Sequence, residues 1–380
     1  MKRTRYVLHD DRAPRQWGWL LHLLWIVPLI VLDIWVFSRL GSRPGGCAVT
    51  SEPERAAVVE APKVPPWKDL VFPTEQTRLL DADTAGVFQP TASGNPQSAL
   101  YGSVRTAKAG KSIMPSFHEG IDIAAMARDR AGRPLDKVHA VAAGKVGYIN
   151  RVGGNSNYGK YVVLLHDDPL GDVYTLYAHL ADVESSLKPG QTVKPGAVLG
   201  TMGHTSSSPI PVQRAHVHFE IGLINNMRFA EWYKANKLKP YHGNFHGRNF
   251  LGVNPLEFLA HQQQDPGLGF ASHLACVPTA FEVAIAARKK PDFFRRYSAL
   301  WEGPDFNGSA IVLSCSENGV PLKGRVATDA EREKLGKKKA VVLKADESVL
   351  GRNGSRIVAK SNGGWILGKN GEAWREVLVY

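Results

Sequence analysis

Cysteine is scarce in this sequence, with three residues in a chain of 380. So few thiols exclude a small scaffold held together mainly by disulfides. In an oxidising compartment Cys276 and Cys315 are the candidate pair, which leaves Cys47 unpaired. Three free thiols are the alternative, and the sequence leaves both open.

Acidic residues are outnumbered by basic ones, 35 against 47, which gives a formal net charge of +12. Such a charge indicates one of three partners: nucleic acid, an anionic membrane surface, or an anionic polymer outside the cell. A hydrophobic content of 43% is that of a folded protein and argues against a largely disordered chain. The location of the chain therefore decides among the three partners.

Long apolar runs are absent except at residues 17–38. This run is long enough to cross a bilayer of roughly 30 Å as a helix. Most of the nearby basic residues precede it, so residues 1–16 are predicted to be cytoplasmic and the rest to lie outside. A cleaved signal peptide is the alternative, although its apolar region is usually shorter. Cys47 follows a weak lipoprotein-like motif, so its lipidation stays open.

Long amphipathic helices are missing between residues 138 and 223, where short β-rich runs alternate with glycine turns. This spacing predicts a mainly β, antiparallel domain over residues 96–260. Residues 225–252 form a polar, aromatic insertion expected beside the cleft, with a short helix near its start. The proline-rich residues 39–95 are interpreted as a spacer between membrane and domain.

Residues 270–380 are predicted to form a separate α+β region. We expect one helix at residues 280–288 and another from Thr328 to Gly336, where a capping-box pattern begins. Three Asn-Gly pairs near the end predict a small β-meander. Basic and aromatic residues alternate over 289–297 and suit an anionic polymer or nucleic acid, but a solvated helix is the simpler interpretation.

The chemistry is expected on the strand that contains His216 and His218, because residues two apart on a strand face the same side. Upstream, His118 and Asp122 offer an imidazole and a carboxylate, both suitable zinc ligands, and His218 can supply a third. Neither short pattern is specific by itself. A second His-x-x-x-Asp, at 261–265, is interpreted as a solvated segment, and His242 and His246 as loop residues or as lining of the cleft.

Several motifs occur together in one order. They are Tyr101-Gly102, Phe117-His118-Glu119-Gly120-Ile121-Asp122, Tyr177-Ala178-His179-Leu180, His216-Val217-His218-Phe219-Glu220 and Val253-Asn254-Pro255. On these motifs, residues 98–259 resemble the lysostaphin-type (LytM-like) zinc metallopeptidases that cut cell-wall peptidoglycan. The resemblance implies an antiparallel LytM-like domain with a duplicated hybrid motif.

The resemblance also implies roles for five residues. His118, Asp122 and His218 match the ligands of one Zn²⁺ per catalytic domain, and His179 and His216 match the two catalytic histidines. We expect His216 to act as the base and His179 to stabilise the transition state. Two segments depart from the family pattern: Gly203–Thr205 with the longer loop that leads to His216, and the insertion at 225–252. Both are expected to reshape the cleft, so the substrate preferences of the family cannot be carried over to this chain.

These inferences together predict a membrane-anchored zinc metalloendopeptidase of the bacterial inner membrane, with its catalytic domain outside the cytoplasm and peptidoglycan as substrate. The alternative is an inactive relative that regulates or scaffolds other wall hydrolases. No nucleic-acid partner is expected outside the membrane, and wall binding by residues 270–380 is one further hypothesis. The sequence leaves the cleaved bond and the oligomeric state open.

Overall fold

Residues 64–109, 112–351 and 353–380 are described by a computed structural model. Within these ranges no helix has the length and apolar character needed to cross a bilayer. The predicted membrane span at 17–38 and Cys47 lie outside the described residues. The structure therefore gives the predicted anchor no support, and the anchor stays a sequence-based prediction.

The first part of the chain is built from short antiparallel strands, as predicted. The strands are β1 (Val104–Ala109), β2 (Ser112–Phe117), β3 (Ile121–Ala124), β4 (Lys137–His139), β5 (Gly144–Asn150), β6 (Lys160–Asp168), β7 (Gly171–Leu180), β8 (Asp182–Val183), β9 (Thr192–Val193), β10 (Val198–Thr201), β11 (His216–Ile224) and β12 (Phe250–Val253). Two helices accompany them, α1 (Phe229–Ala235) and α2 (Pro255–Gln264).

The largest sheet has seven strands, in the order β12-β11-β7-β6-β5-β9, with β3 also paired to β11. Strand β11 is central: β3 pairs with its first half and β12 with its second half, while β7 runs along its other edge. All nine of its residues are buried. Because side chains alternate between the two faces of a strand, Val217, Phe219 and Ile221 all point into the hydrophobic core. The intervening polar residues therefore share the opposite face.

Residues 64–95 differ from the predicted spacer, because three apolar side chains anchor them to the core. Trp67, Leu79 and Val87 are each at most 2% exposed. The Trp67 indole donates a hydrogen bond of 2.8 Å to the buried carboxylate of Asp168. The backbone amide of Phe270 donates to the same carboxylate. This one acid thus joins the N-terminal segment, the β6–β7 turn and the region after residue 270.

The C-terminal region is α+β, as predicted, and its elements are now defined. They are α3 (Phe270–Cys276), β13 (Phe281–Ala286), α4 (Asp292–Arg296), β14 (Ala310–Cys315), β15 (Pro321–Val326), α5 (Asp329–Leu335), β16 (Ala340–Ala345), α6 (Glu347–Leu350), β17 (Val358–Ser361), β18 (Gly364–Leu367) and α7 (Lys369–Leu378). The four-stranded sheet has the order β15-β14-β13-β16. Helix α5 begins with the predicted Thr328–Glu331 capping box and ends at Gly336.

Two predictions for this region are wrong. The helix expected at 280–288 is strand β13, because pairing on both edges with β14 and β16 outweighs the helical propensity of its alanines. The expected meander is a single hairpin, β17–β18, which turns at Asn362-Gly363 and is followed by helix α7. Gly371 lies inside α7, where a Cβ atom would stand 2.0 Å from the carbonyl oxygen of Ile357. That glycine serves close packing and not a turn.

The two C-terminal cysteines are free thiols. Cys276 is exposed at the end of α3, whereas Cys315 is buried at the end of β14. Of the two arrangements that the sequence allowed, the structure has the unpaired one. Burial in the core raises the pKa of the Cys315 thiol well above its usual value, which keeps it protonated and unreactive.

Candidate metal centre

Three strands place the predicted ligands in one cluster. In the register between β3 and β11, Asp122 stands directly opposite His218. On its other edge, His218 stands opposite Ala178, the residue before His179. His118 lies in the turn that enters β3, where Gly120 passes so close to β11 that a Cβ atom would lie 2.3 Å from the Phe219 carbonyl oxygen. The local sequence therefore needs glycine between the first two ligands.

The ligand atoms of His118, Asp122 and His218 converge on one point. Nε2 of His118 is 3.1 Å from Oδ1 of Asp122 and 3.0 Å from Nδ1 of His218. The Asp122 Oδ1 and His218 Nδ1 atoms are 2.9 Å apart. All three side chains are buried, and among the described residues this is the one group of three or more potential ligands placed to hold a metal.

The outer hydrogen bonds allow these three atoms to present lone pairs to a metal ion. The Nδ1 atom of His118 lies 3.0 Å from the Leu100 carbonyl oxygen and 3.1 Å from the Arg105 guanidinium; a proton on Nδ1 that is donated to Leu100 leaves Nε2 free to bind a metal. The Nε2 atom of His218 lies 2.8 Å from Oε1 of Glu220 and donates to it. Two imidazole lone pairs and a carboxylate oxygen at this separation repel unless a cation lies among them. Two nitrogens and one oxygen suit zinc, so the residues fit the ion that the resemblance implies.

The pKa shifts of Asp122 and His218 also indicate that the cluster is stabilised by positive charge. Burial alone would raise the pKa of Asp122, but the neighbouring His118 and His216 lower it well below its usual range. Burial alone would lower the pKa of His218, but hydrogen bonds to Asp122 and Glu220 raise it to about 9. A proton on His218 thus occupies the place where a metal ion would balance the carboxylates.

A second carboxylate, Glu220, supports the cluster from behind and was not identified from the sequence. It is fully buried and accepts hydrogen bonds from His218 at 2.8 Å, from Tyr158 at 2.7 Å and from Tyr174 at 2.9 Å. This carboxylate fixes the ring of His218 with Nδ1 towards the metal position. The period-two pattern from His216 through His218 to Glu220 was the available signal.

Arg105, on β1, is another contributor that sequence reasoning missed. Its guanidinium donates to Oδ2 of Asp122 at 2.5 Å, the oxygen that does not face the histidine ligands. It also donates to the carbonyl oxygen of Ser98 at 2.8 Å. The ion pair holds the Asp122 carboxylate with Oδ1 turned towards the cluster. No local pattern connects Arg105 with Asp122, because β1 reaches the site through the hairpin with β2.

His179 and His216 lie beside the three ligands as predicted, with ring centres 4.8 Å apart. Each donates through Nδ1 to a backbone carbonyl oxygen: His179 to Thr205 at 2.9 Å, and His216 to Arg214 at 2.7 Å. These bonds leave each Nε2 as a free base. Burial lowers the pKa of both rings, and for His179 the neighbouring His216 lowers it further. Both histidines are therefore neutral at pH 7.

The loop that departs from the family pattern positions one of these histidines. His179 has a left-handed backbone, with φ of 62°. The Thr205 carbonyl oxygen holds its ring, while the Thr205 hydroxyl donates to Leu180 and accepts from the Lys160 amide. Strain at a non-glycine residue persists where such contacts enforce it. The departure at Gly203–Thr205 thus supports the site.

His166, His242 and His261 lie apart from the candidate metal ligands. His166, considered as a support for a ligand, instead bonds to the Ala143 carbonyl and the Thr175 hydroxyl within the core. His242 is buried against Tyr148, which corrects the loop-surface interpretation. His261 belongs to helix α2 and contacts His273, whereas Gln263, Gln264 and Asp265 are exposed, as expected of a solvated segment.

Comparison with known proteins agrees with this geometry. The model of peptidase family M23 matches residues 116–229. Similar solved structures include a zinc-containing peptidase from Vibrio cholerae (21% identity, 36% of this chain and 36% of that chain, TM-score 0.22). They also include the catalytic domain of lysostaphin from Staphylococcus simulans (20% identity, 42% of this chain and 89% of that chain, TM-score 0.26). A third is a putative M23 peptidase from Pseudomonas aeruginosa (26% identity, 35% of this chain and 48% of that chain, TM-score 0.21).

No curated protein matches the chain at a significant level. The chain spans only about a third of the length of the Vibrio cholerae peptidase that it matches. The family match covers the strands β3 to β11, which carry Asp122, His179, His216 and His218, and the turn that carries His118. The lysostaphin-type resemblance read from the motifs is thereby confirmed, with residues 116–229 matching the model of peptidase family M23.

Proposed function

We propose that this chain is a membrane-anchored zinc metalloendopeptidase that hydrolyses peptide cross-links of bacterial cell-wall peptidoglycan. The observation that carries the proposal is the convergence of three potential ligand atoms, from His118, Asp122 and His218, beside two neutral histidines. Family M23 contains zinc-dependent peptidases that act on peptidoglycan, and lysostaphin is among the similar structures.

The residues of the site divide the work. A zinc ion held by His118, Asp122 and His218 would supply the Lewis acidity that activates water and polarises the scissile carbonyl. The free Nε2 of His216 accepts the proton of the attacking water and returns it to the leaving amine. His179, whose ring is fixed by the Thr205 carbonyl, is assigned the stabilisation of the developing oxyanion, for which its Nε2 takes up a proton as negative charge develops. Burial and the neighbouring His216 lower its pKa, so the ring is neutral before the reaction.

The proposed location is the bacterial inner membrane, with residues 17–38 as a single span and the catalytic domain outside the cytoplasm. The basic residues 1–16 and the apolar run support this orientation. Membrane fractionation of the full chain tests it, and a chain lacking residues 1–38 should move to the soluble fraction. Recovery of the full chain as a soluble, shortened product would favour a cleaved signal peptide.

Zinc analysis and digestion of purified murein test the activity. We expect His218→Ala to lose both zinc and cleavage, and His216→Ala to retain zinc but lose cleavage. His261→Ala changes the second His-x-x-x-Asp pattern, which lies away from the site, and should behave as wild type. A zinc-loaded chain that leaves murein intact would instead indicate an inactive relative that regulates other wall hydrolases.

A further inference from the structure

Both candidate catalytic histidines are held by backbone oxygens of one loop, residues 203–215. The Thr205 carbonyl accepts a hydrogen bond from His179, and the Arg214 carbonyl accepts one from His216. In each case the bond is made by Nδ1 and leaves Nε2 for chemistry. The position of each imidazole therefore depends on how firmly this loop is fixed.

Packing against the core does little to fix the second half of this loop. Most of its side chains are exposed, namely those of Ser207, Ser208, Pro209, Pro211 and Gln213. The residues just before the candidate base, Val212–Arg214, form one turn of 3₁₀ helix without a side-chain cap. The carbonyl oxygens at the end of such a turn have no helical partners. Water or a donor from elsewhere in the chain must satisfy them.

The guanidinium of Arg128, from the segment between β3 and β4, supplies those donors. Its Nη1 atom donates to the Val212 carbonyl at 2.8 Å. Its Nη2 atom donates to the carbonyls of Gln213 at 3.3 Å and Ala215 at 3.2 Å. A planar cation with several fixed donors suits this arrangement, because a single ammonium group could not reach all three oxygens. Positive charge at the end of a helical turn also complements its dipole.

Within the described part of the chain, Arg128 binds backbone oxygens and no carboxylate. The adjacent acid, Asp129, pairs instead with Arg133 at 2.7 Å. The fourth hydrogen bond of Arg128 goes to the Gly132 carbonyl at 2.9 Å and ties the guanidinium to its own turn. The geometry of this side chain therefore matters as well as its charge.

We propose that Arg128 is a positioning residue for His216, an assignment that rests on the peptidase function proposed above. By fixing the carbonyls on both sides of Arg214, it directs the Arg214 carbonyl at Nδ1 of His216. The proton then stays on Nδ1, and Nε2 stays free at 3.6 Å from Oδ2 of Asp122. Without Arg128 the turn can rotate and the ring can exchange its tautomer, which places a proton on the nitrogen that must accept one.

Nuclear magnetic resonance of the full-length, zinc-loaded chain in detergent, with ¹⁵N in its histidine rings, tests the proposal without depending on cleavage. His216→Ala identifies the signals of His216 by difference. At neutral pH the wild type should show His216 as the Nδ1-protonated tautomer alone. Arg128→Ala should show both tautomers of His216, whereas its zinc affinity, measured by chelator competition, should equal that of the wild type.

Kinetics on soluble cross-linked muropeptides gives a second readout. Because the imidazole is misplaced while zinc and the cleft are retained, Arg128→Ala should lower kcat by about tenfold to a hundredfold and leave KM unchanged. Arg128→Lys keeps the charge but loses the fork of donors, so it should resemble Arg128→Ala in both readouts. A lysine variant that behaves as wild type would overturn the role assigned to the guanidinium.

Arg133→Ala is the matched control, because it removes an arginine of the same segment whose side chain is 72% exposed and contacts Asp129. It should behave as wild type in every readout. A single His216 tautomer with wild-type kcat in Arg128→Ala would overturn the proposal. So would loss of zinc binding or of folding in both Arg128 variants, because the residue would then support the whole fold and not the base.

The tautomer measurement separates this proposal from the peptidase function. If the wild-type chain cleaves no murein, the peptidase function fails, and the tautomer comparison still decides whether Arg128 positions His216. If the chain cleaves murein and His216 keeps one tautomer without Arg128, the positioning role alone fails.

Discussion

The hydrogen bonds around Glu220 lead to a specific prediction for zinc affinity. Glu220→Gln removes the negative charge behind His218 but keeps the side-chain volume. The remaining carbonyl oxygen can still accept from His218 and Tyr158, now at 2.8 and 2.7 Å. The new amide can donate to the Tyr174 hydroxyl, which rotates its own proton away. The substitution thus isolates the effect of charge from the effect of packing.

The expected loss of zinc affinity is between about tenfold and a hundredfold, the usual effect of removing such a supporting partner. The carboxylate is fully buried, so solvent does not screen its influence on His218. Tyr158→Phe is the graded control, because it removes one hydrogen bond and leaves the charge. The Tyr158 hydroxyl bonds to the carboxylate and not to a metal ligand, so its removal should weaken zinc binding less than removal of the charge does.

Competition with a chromophoric chelator measures the affinity directly, without reference to activity. Thermal unfolding of the zinc-free proteins, followed by circular dichroism, establishes that each variant is folded. A folded Glu220→Gln protein with wild-type zinc affinity would refute the role assigned to this carboxylate. Equal losses in Glu220→Gln and Tyr158→Phe would show that hydrogen bonding, and not charge, supports His218.

Three further predictions concern pH and packing. Burial lowers the pKa of His166 to about 4, whereas the unfolded chain protonates this histidine below about pH 6.5. The free energy of unfolding should therefore fall by about 3 kcal/mol between pH 6.5 and 4. In chemical denaturation measured over this pH range, His166→Asn should flatten the decrease. The acid limb of kcat/KM should lie below pH 6.5, because burial lowers the pKa of His216 despite the opposing effect of Asp122; a limb above 6.5 would contradict the base assignment. Gly120→Ala should abolish zinc binding, since its Cβ would collide with the Phe219 carbonyl, whereas Gly86→Ala, a control at a turn whose Cβ position is open, should retain zinc.

The sequence predicts the antiparallel domain from local signals, and with the family resemblance it names five candidate site residues that the structure brings together. Strand alternation fixes the shared face of His216 and His218, and pairing of β3 with β11 brings Asp122 to them. The order of the motifs supplies the partners that each short pattern lacks. The distances between the candidate ligands and the proton positions on the histidine rings could not be predicted from the sequence. They depend on the carbonyl oxygens of Leu100 and Thr205, which lie in turns far from the histidines in sequence.

The errors in the C-terminal region arise where tertiary contacts override local preference. The alanine-rich stretch at β13 is a strand because neighbours on both edges satisfy its backbone. The Asn370-Gly371 pair satisfies a turn pattern, yet Trp374 and Leu378 follow Gly371 at helical spacing and are buried. Glycine there allows the helix to approach the Ile357 carbonyl closely. A dipeptide that signals a turn can equally signal a tight contact.

The supporting residues of the metal centre separate into two kinds. Glu220 continues the period-two face of His216 and His218, so extending that alternation by one step would have identified it. Arg105 and Tyr158 come from a hairpin and a turn with no spacing relation to the ligands. Their contribution depends on topology alone. Candidate ligands of such a site are therefore readable from sequence, whereas the charges that hold them become visible only when the sheet is assembled.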